Sequence, residues 1–144
     1  MRKVEANIEI NAAPTRVLSA FTNPTMLKGW WGVERQLIVL EPGMPYSLVW
    51  QISNTGMGYV STGIVESYAP GDHLKVKDFI YFNAEKDILG PMSLDIRVAP
   101  KEKFTLLSVC QDGYQSGGDW DWYYEAVMEA WPQALKIIKA YLEN

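Results

Sequence analysis

A carboxylate stands within an otherwise apolar strand pattern and could act on a bound molecule. Asp78 lies in the segment KVKDFIYF, where the alternation of strand residues places it on the same face as Leu74 and Val76. If that face points inward, the Asp78 carboxylate could orient a polar group of a ligand or act as a base. The alternatives are a bulge that turns Asp78 out to solvent, or an ion pair with a nearby lysine.

A second polar residue closes the apolar face of the last predicted strand. Gln111 shares the parity of Leu107 and Val109, so its amide is expected to point inward. It could donate a hydrogen bond to a ligand carbonyl. The alternative is that it satisfies backbone groups of the protein, as buried polar side chains commonly do.

Large apolar side chains recur where they could line a cavity. The chain contains six Trp and eight Tyr, whose apolar bodies and single polar atoms suit a pocket. Near the C-terminus the candidates follow helical spacing, and they are Trp120, Tyr124, Met128 and Trp131. Trp31 is a further candidate because it follows the second short predicted helix. Trp50, Met92 and Leu94 are candidates because strand parity points them inward. These residues are predicted to be cavity walls, and the alternative is that they form ordinary core.

The single histidine and the single cysteine are predicted to have structural rather than chemical roles. His73 falls in the turn sequence PGDH and is expected in solvent without a partner. Cys110, the single cysteine, has the opposite parity to Gln111 and is expected to be a packing residue. The chain has no HExxH, paired-cysteine, Walker or GxGxxG spacing, so we predict no metal and no cofactor. We assign no residue as catalytic, and an enzyme is the less favoured hypothesis.

The elements that must position these residues begin with a strand over 3–11, where polar and apolar residues alternate. Two short helices are predicted over 14–22 and 24–30, the second with Asn23 as its N-cap. Six further strands follow at 36–40, 46–53, 59–68, 74–82, 92–98 and 104–111. The connections between them are short and not helical, which predicts antiparallel pairing. Residues 119–142 then form one amphipathic helix about 35 Å long.

This order of elements resembles the SRPBCC superfamily, which includes the START and Bet v 1-like proteins. The motifs that carry the resemblance are IEINAAPTRVLSAFTNPTMLKGWWG, GIVESYAP, and Gly113-Tyr114 before the tryptophan-rich tail. More narrowly, the chain is similar to the branch named for the activator of the heat-shock protein 90 ATPase. It departs from that branch at Gly43-Met44, where relatives often have two glycines. It departs again at Asp78 and Gln111, where they often have Trp and His.

The resemblance implies an α+β helix-grip fold, in which a seven-stranded curved antiparallel sheet surrounds the C-terminal helix, as one domain over 1–144. It also implies an internal cavity that binds a small hydrophobic molecule. Two alternatives are a co-chaperone-like module with a chaperone or other protein partner, and an enzyme of the cyclase or dehydratase type. Fold predicts function poorly within such superfamilies, so the site must decide among them.

Composition narrows the possible partners. The net charge is −4 and the basic residues are scattered, which argues against nucleic acid as a partner. No apolar run approaches the roughly 18 residues of a membrane-spanning helix. The start of the chain alternates polar and apolar residues, unlike a signal peptide. We therefore expect a cytoplasmic protein that is not integral to a membrane.

Overall fold

The fold is described by a computed structural model that covers residues 2–144, so Met1 lies outside the described residues. Within this range the chain forms one seven-stranded antiparallel sheet, two short helices and a long C-terminal helix. This arrangement confirms the predicted α+β helix-grip class.

The strands follow one another across the sheet, except for the first. They are β1 (Arg2–Ile10), β2 (Arg35–Ile38), β3 (Pro45–Trp50), β4 (Tyr59–Ala69), β5 (His73–Asn83), β6 (Leu89–Pro100) and β7 (Thr105–Tyr114). Their spatial order is β1-β7-β6-β5-β4-β3-β2, and every neighbouring pair is antiparallel. Each strand from β2 to β6 is joined to the next by a connection without helix, and the two strands pair as a hairpin. The Gly and Pro residues of these connections predict this pairing. Only the pairing of β1 with β7 joins distant parts of the chain.

The helices are α1 (Pro14–Ser19), α2 (Pro24–Met26), which continues as a π-helical turn over Leu27–Trp31, and α3 (Asp119–Glu143). The helical segment after α1 begins and ends at residues with recognisable capping chemistry. The Asn23 side chain accepts a hydrogen bond from the Met26 amide at 3.1 Å, which confirms it as the N-cap of α2. Gly32, at φ 74°, ends the π-helical turn in the left-handed conformation that glycine tolerates best.

The core lies between the sheet and the helices. α3 packs chiefly along β1 and the π-helical turn. In its second half Leu135, Ile138 and Leu142 are almost fully buried. The Trp30 indole is buried as well and donates to the Ala20 carbonyl at 2.7 Å, which ties the π-helical turn to the end of α1. These contacts anchor one end of α3 against the sheet.

A bulge in β5 corrects the expectation for Asp78. Across the β4–β5 pair, Ile64 opposes Lys77 but Thr62 opposes Ile80, so β5 carries an extra residue there. Asp78 takes the left-handed φ of 50°, its side chain is exposed, and Phe79 occupies the inward position. The prediction that Asp78 points inward with Leu74 and Val76 is therefore wrong, because one extra residue reverses the face of the strand residues after it.

The left-handed conformation of Asp78 allows a prediction about the stability of a glycine variant. Asp78→Gly should raise the free energy of unfolding by about 0.5–1 kcal/mol, since glycine adopts this conformation without a Cβ clash. The matched control is Lys77→Gly, one residue away in extended strand, which should lower it by about 0.5–1 kcal/mol. Urea unfolding of both variants measures the difference. Equal losses in the two variants would contradict the bulge geometry.

Candidate functional site

A cavity of about 330 Å³ lies between the sheet and the first half of α3. Strands β3 to β6 contribute Trp50, Tyr59, Ser61, Phe79, Tyr81 and Leu94 to its wall. Gln111 of β7 and Trp31 of the π-helical turn complete that side. On α3 the wall includes Trp122, which is 39% exposed, so the cavity reaches the surface at this end. The Lys86 ammonium lies 4.4 Å from the centre of the Trp122 ring at the same place.

Six of the lining rings form a continuous series that we call the aromatic belt. In order of contact it comprises Trp131, Trp31, Trp50, Tyr59, Tyr81 and Tyr123. Neighbouring ring centroids lie between 4.6 and 6.2 Å apart, the range in which aromatic pairs attract. Two of the pairs are stacked, Trp50 on Tyr59 and Tyr81 on Tyr123. The belt therefore gives the cavity rigid, flat and mostly apolar walls.

The Gln111 side chain joins the two ends of the belt. It is only 3% exposed, and its Oε1 accepts a hydrogen bond from Trp131 Nε1 at 3.1 Å. Its Nε2 donates to the Tyr123 hydroxyl oxygen at 2.9 Å and also lies 3.7 Å from Met92 Sδ. Gln111 thus points inward as predicted, but its amide binds side chains of the protein. It holds two residues of α3 against β7.

The cavity is electrically neutral. No Asp, Glu, Lys, Arg or His in the described part of the chain lines it. Burial raises the pKa of Tyr123, and burial together with the nearby Tyr81 hydroxyl raises the pKa of Tyr59. Both phenols are therefore uncharged at neutral pH. The polar atoms on the wall can donate or accept hydrogen bonds, but they cannot neutralise a charged ligand.

Five of the ten sequence-predicted cavity residues line this cavity: Trp31, Trp50, Leu94, Gln111 and Trp131. Asp78 does not, because the β5 bulge turns it outward. Met92 lies behind Gln111 in the core rather than on the wall. Trp120 and Tyr124 pack edge-on against the buried Tyr114 ring, and Met128 is 46% exposed.

The predicted cavity residues Trp120, Tyr124 and Met128 lie on a face of α3 that is rotated about the helix axis from the face that lines the cavity. The most apolar stripe, which runs through Trp131 and Leu135, packs into the core. Tyr123, which lines the cavity, lies about 80° around the helix from Trp131, at 3.6 residues per turn. A sequence pattern gives the period of a helix but cannot say which flank of its apolar stripe adjoins the cavity.

Small residues on that flank were missed by the sequence reasoning. Ala126, Ala130 and Ala134 recur every four residues and all line the cavity. Alanines at this spacing share one face of a helix, and their short side chains leave the room that the cavity occupies. The spacing was visible in the sequence, but small residues carry no hydrophobic signal strong enough to select them.

The only histidine of the chain has partners that the sequence did not indicate. His73 Nδ1 lies 2.5 Å from Asp72 Oδ2, and His73 Nε2 lies 2.9 Å from Ser67 Oγ. The prediction that His73 has no partner is therefore wrong. None of these residues lines the cavity. The Ser67–His73 contact links β4 to β5 near their turn.

Cys110 lies on the opposite face of the sheet from Gln111, as parity predicts. It lines a smaller pocket of about 150 Å³ together with Glu5 and Asp95. Burial and the neighbouring carboxylates, Glu5 foremost, raise the pKa of its thiol, which makes it a weak nucleophile.

Within residues 2–144 no cluster of three His, Cys, Asp or Glu side chains could hold a metal ion. Nor does any helix in this range combine the length and apolar content that crossing a membrane requires.

A curved antiparallel sheet closed on a long helix around an apolar cavity defines a helix-grip protein. Residues 11–143 match the model of the family described as activator of Hsp90 ATPase homolog 1-like protein. The chain therefore belongs to that family, which confirms the resemblance drawn from its motifs. No curated protein matches it.

Solved structures share the fold at low sequence identity. Protein CV1439 from Chromobacterium violaceum has 21% identity and a TM-score of 0.73, with 100% of this chain and 99% of that chain covered. The Aha1 dimer from Colwellia psychrerythraea has 17% identity and a TM-score of 0.73, with 99% and 97% covered. DynU16, a protein of the dynemicin biosynthetic locus, has 16% identity and a TM-score of 0.72, with 99% of this chain and 47% of that chain covered. At such identities the likeness establishes the fold alone.

Proposed function

We propose that the protein binds a small, mainly apolar molecule in the cavity framed by the aromatic belt. The observation that carries this proposal is a space of about 330 Å³ whose described lining is aromatic or aliphatic, with few polar atoms and no charge. Ligand pockets in proteins begin at roughly this volume and have this kind of lining.

The energetics favour an occupant. Aromatic rings that line a cavity make fewer dispersion contacts with protein atoms than rings in a packed interior. A bound apolar molecule restores those contacts and removes its own surface from water, at about 25 cal/mol per Å² of apolar area. The belt is held in place by ring contacts and by Gln111, so little ordering is required on binding.

Two measurements test the proposal. Native mass spectrometry of protein purified from its own host should reveal a small molecule that travels with the chain. The neutral fluorescent probe N-phenyl-1-naphthylamine should brighten on transfer from water into the cavity and should quench the tryptophans of the belt. A folded protein that carries no small molecule and does not take up the probe would contradict the proposal.

Filling the cavity with a larger side chain should weaken binding of the probe. Ala130 lines the cavity yet has an exposed side, so Ala130→Trp can add an indole without crushing the core. We expect at least about a tenfold loss of N-phenyl-1-naphthylamine affinity, since the bulk of a small apolar ligand would be displaced. Ala140→Trp, on an exposed position of α3 that does not line the cavity, is the matched control and should bind normally. Fluorescence titration measures both, and equal affinities would place the probe elsewhere.

The two alternatives have less support. A chaperone partner is favoured by family membership alone, and direct binding to the chaperone would test it. Catalysis of the cyclase or dehydratase type was suggested by Asp78 and Gln111. Asp78 lies outside the cavity and the Gln111 amide is engaged with Trp131 and Tyr123, so neither residue is free for that role.

A further inference from the structure

The hydrogen bonds of Gln111 fix which end of its amide faces each neighbour. An indole N–H only donates, so the Gln111 atom that lies 3.1 Å from Trp131 Nε1 must be the carbonyl oxygen. The amide nitrogen is therefore the atom 2.9 Å from the Tyr123 hydroxyl, and it donates to the hydroxyl oxygen. The Trp131 indole thus determines that Gln111 donates its hydrogen bond to the Tyr123 hydroxyl oxygen rather than accepting one from it.

This arrangement leaves the proton of the Tyr123 hydroxyl unused. The oxygen accepts from Gln111, and within residues 2–144 the hydroxyl makes no hydrogen bond as a donor. Burial raises the pKa of Tyr123, so the proton stays on the oxygen at neutral pH. The ring is stacked on Tyr81 at 4.6 Å, which restricts its orientation. The cavity wall therefore carries an oriented phenol that can donate one hydrogen bond.

The rest of the wall restricts the charge and shape of what could accept that bond. A carboxylate group inside the cavity would leave water without meeting a cation, and an ammonium group without meeting an anion, since the described lining is uncharged. The Lys86 ammonium is not part of that lining and lies against the Trp122 ring at the opening. Flat walls such as the Trp50–Tyr59 and Tyr81–Tyr123 stacks favour a flat apolar body.

We infer that the cavity selects a neutral, flat, largely apolar molecule that bears a carbonyl or similar acceptor, and that Tyr123 donates the hydrogen bond that recognises this acceptor. Tyr123 is thereby a specificity-determining residue of the site. The inference rests on the proposed function, which concerns binding of an apolar molecule of any kind.

A pair of matched probes tests the inference. 2-Acetylnaphthalene and 2-isopropenylnaphthalene have the same shape and differ in a C=O group against a C=CH₂ group. Each is titrated against bound N-phenyl-1-naphthylamine, and the ratio of the two affinities is compared between variants. In Tyr123→Phe the preference for the ketone should fall about three- to tenfold, the usual worth of one neutral hydrogen bond. Affinity for the alkene should change little.

Tyr114→Phe is the matched control. Tyr114 is a buried tyrosine that contacts the Tyr123 ring but does not line the cavity, so the affinity ratio should stay at the wild-type value. An affinity ratio that is the same in wild type and Tyr123→Phe would overturn the inference while the proposed function stands. Failure of the wild-type protein to bind the fluorescent probe or either naphthalene would overturn both.

A measurement on the wild-type protein keeps the test valid even if Tyr123→Phe does not fold. The infrared carbonyl band of bound 2-acetylnaphthalene should lie at lower wavenumber than in an apolar solvent, because a hydrogen bond weakens the C=O bond. A bound ketone whose band stays at the position found in apolar solvent would overturn the inference.

Discussion

Raising the pH from 9 to 11 should lower the free energy of unfolding by about 4 kcal/mol through three buried tyrosines alone, because they titrate far more readily in the unfolded chain. Burial raises the pKa of Tyr46, Tyr114 and Tyr123 well above the ordinary value of 10.0. The folded protein therefore keeps these protons above pH 10 while the unfolded chain releases them. The stabilisation is fully present below pH 10 and is lost as the pH rises further.

Urea unfolding at a series of pH values measures this slope, and tyrosine-to-phenylalanine variants divide it. Each single variant should remove about a third of the contribution of these three tyrosines, or roughly 1.4 kcal/mol at pH 11. At pH 7 the variants should differ from one another. Tyr46→Phe loses a hydrogen bond of 2.7 Å to the Phe21 carbonyl and should cost about 1 kcal/mol, whereas the Tyr114 hydroxyl is buried without a partner among the described residues. A pH slope that is unchanged in all three variants would contradict the assignment.

Gln111→Leu should lower the free energy of unfolding by about 2–4 kcal/mol, although it replaces a polar side chain with an apolar one of similar size. The change leaves Trp131 Nε1 without an acceptor and removes the amide donor from the Tyr123 hydroxyl. Burying an unsatisfied polar group costs about 1–3 kcal/mol. Denaturant unfolding at neutral pH measures the loss.

Two further variants separate this cause from a general effect of losing glutamine. Gln115→Leu changes an exposed glutamine just beyond β7 and should alter stability by less than about 0.5 kcal/mol. Adding Tyr123→Phe to Gln111→Leu should restore part of the loss, because both partners of one hydrogen bond are then apolar. If the two losses simply add, the hydrogen bond between Gln111 and Tyr123 does not carry the effect.

The elements of this fold were readable because each has a local cause. Alternating residues over 3–11 specify a strand with one buried face, and Asn23 before Pro24 specifies a helix start. The predicted strands are all present, with ends shifted by up to three residues, as for β6 beginning at Leu89 rather than Met92. Strand parity also placed Gln111 and Cys110 on opposite faces, since β7 is regular at these positions.

The wrong predictions for the cavity residues share one physical origin, which is that contacts between different elements decide where these side chains point. Strand alternation predicts an inward Asp78 because it does not register the bulge in β5. Gly63 of β4 makes that bulge possible, since a Cβ there would come within 2.9 Å of the Lys77 carbonyl oxygen. The requirement involves two strands, so the residues of β5 alone cannot reveal it. Helical spacing likewise predicts Tyr124 and Met128 at the cavity, because the sequence of α3 alone does not specify how the helix is rotated about its axis.

By itself, then, the sequence determined the order and type of the elements, the helix-grip family and an interior rich in aromatic residues, because these depend on neighbours a few positions apart. Only the tertiary structure decided that Trp31, Trp131 and Tyr123 meet around one cavity and that Gln111 bridges the ends of the belt. Those contacts join residues up to 100 positions apart in the chain. Their geometry depends on how α3 and the bent sheet pack against each other, and local periodicity does not encode it.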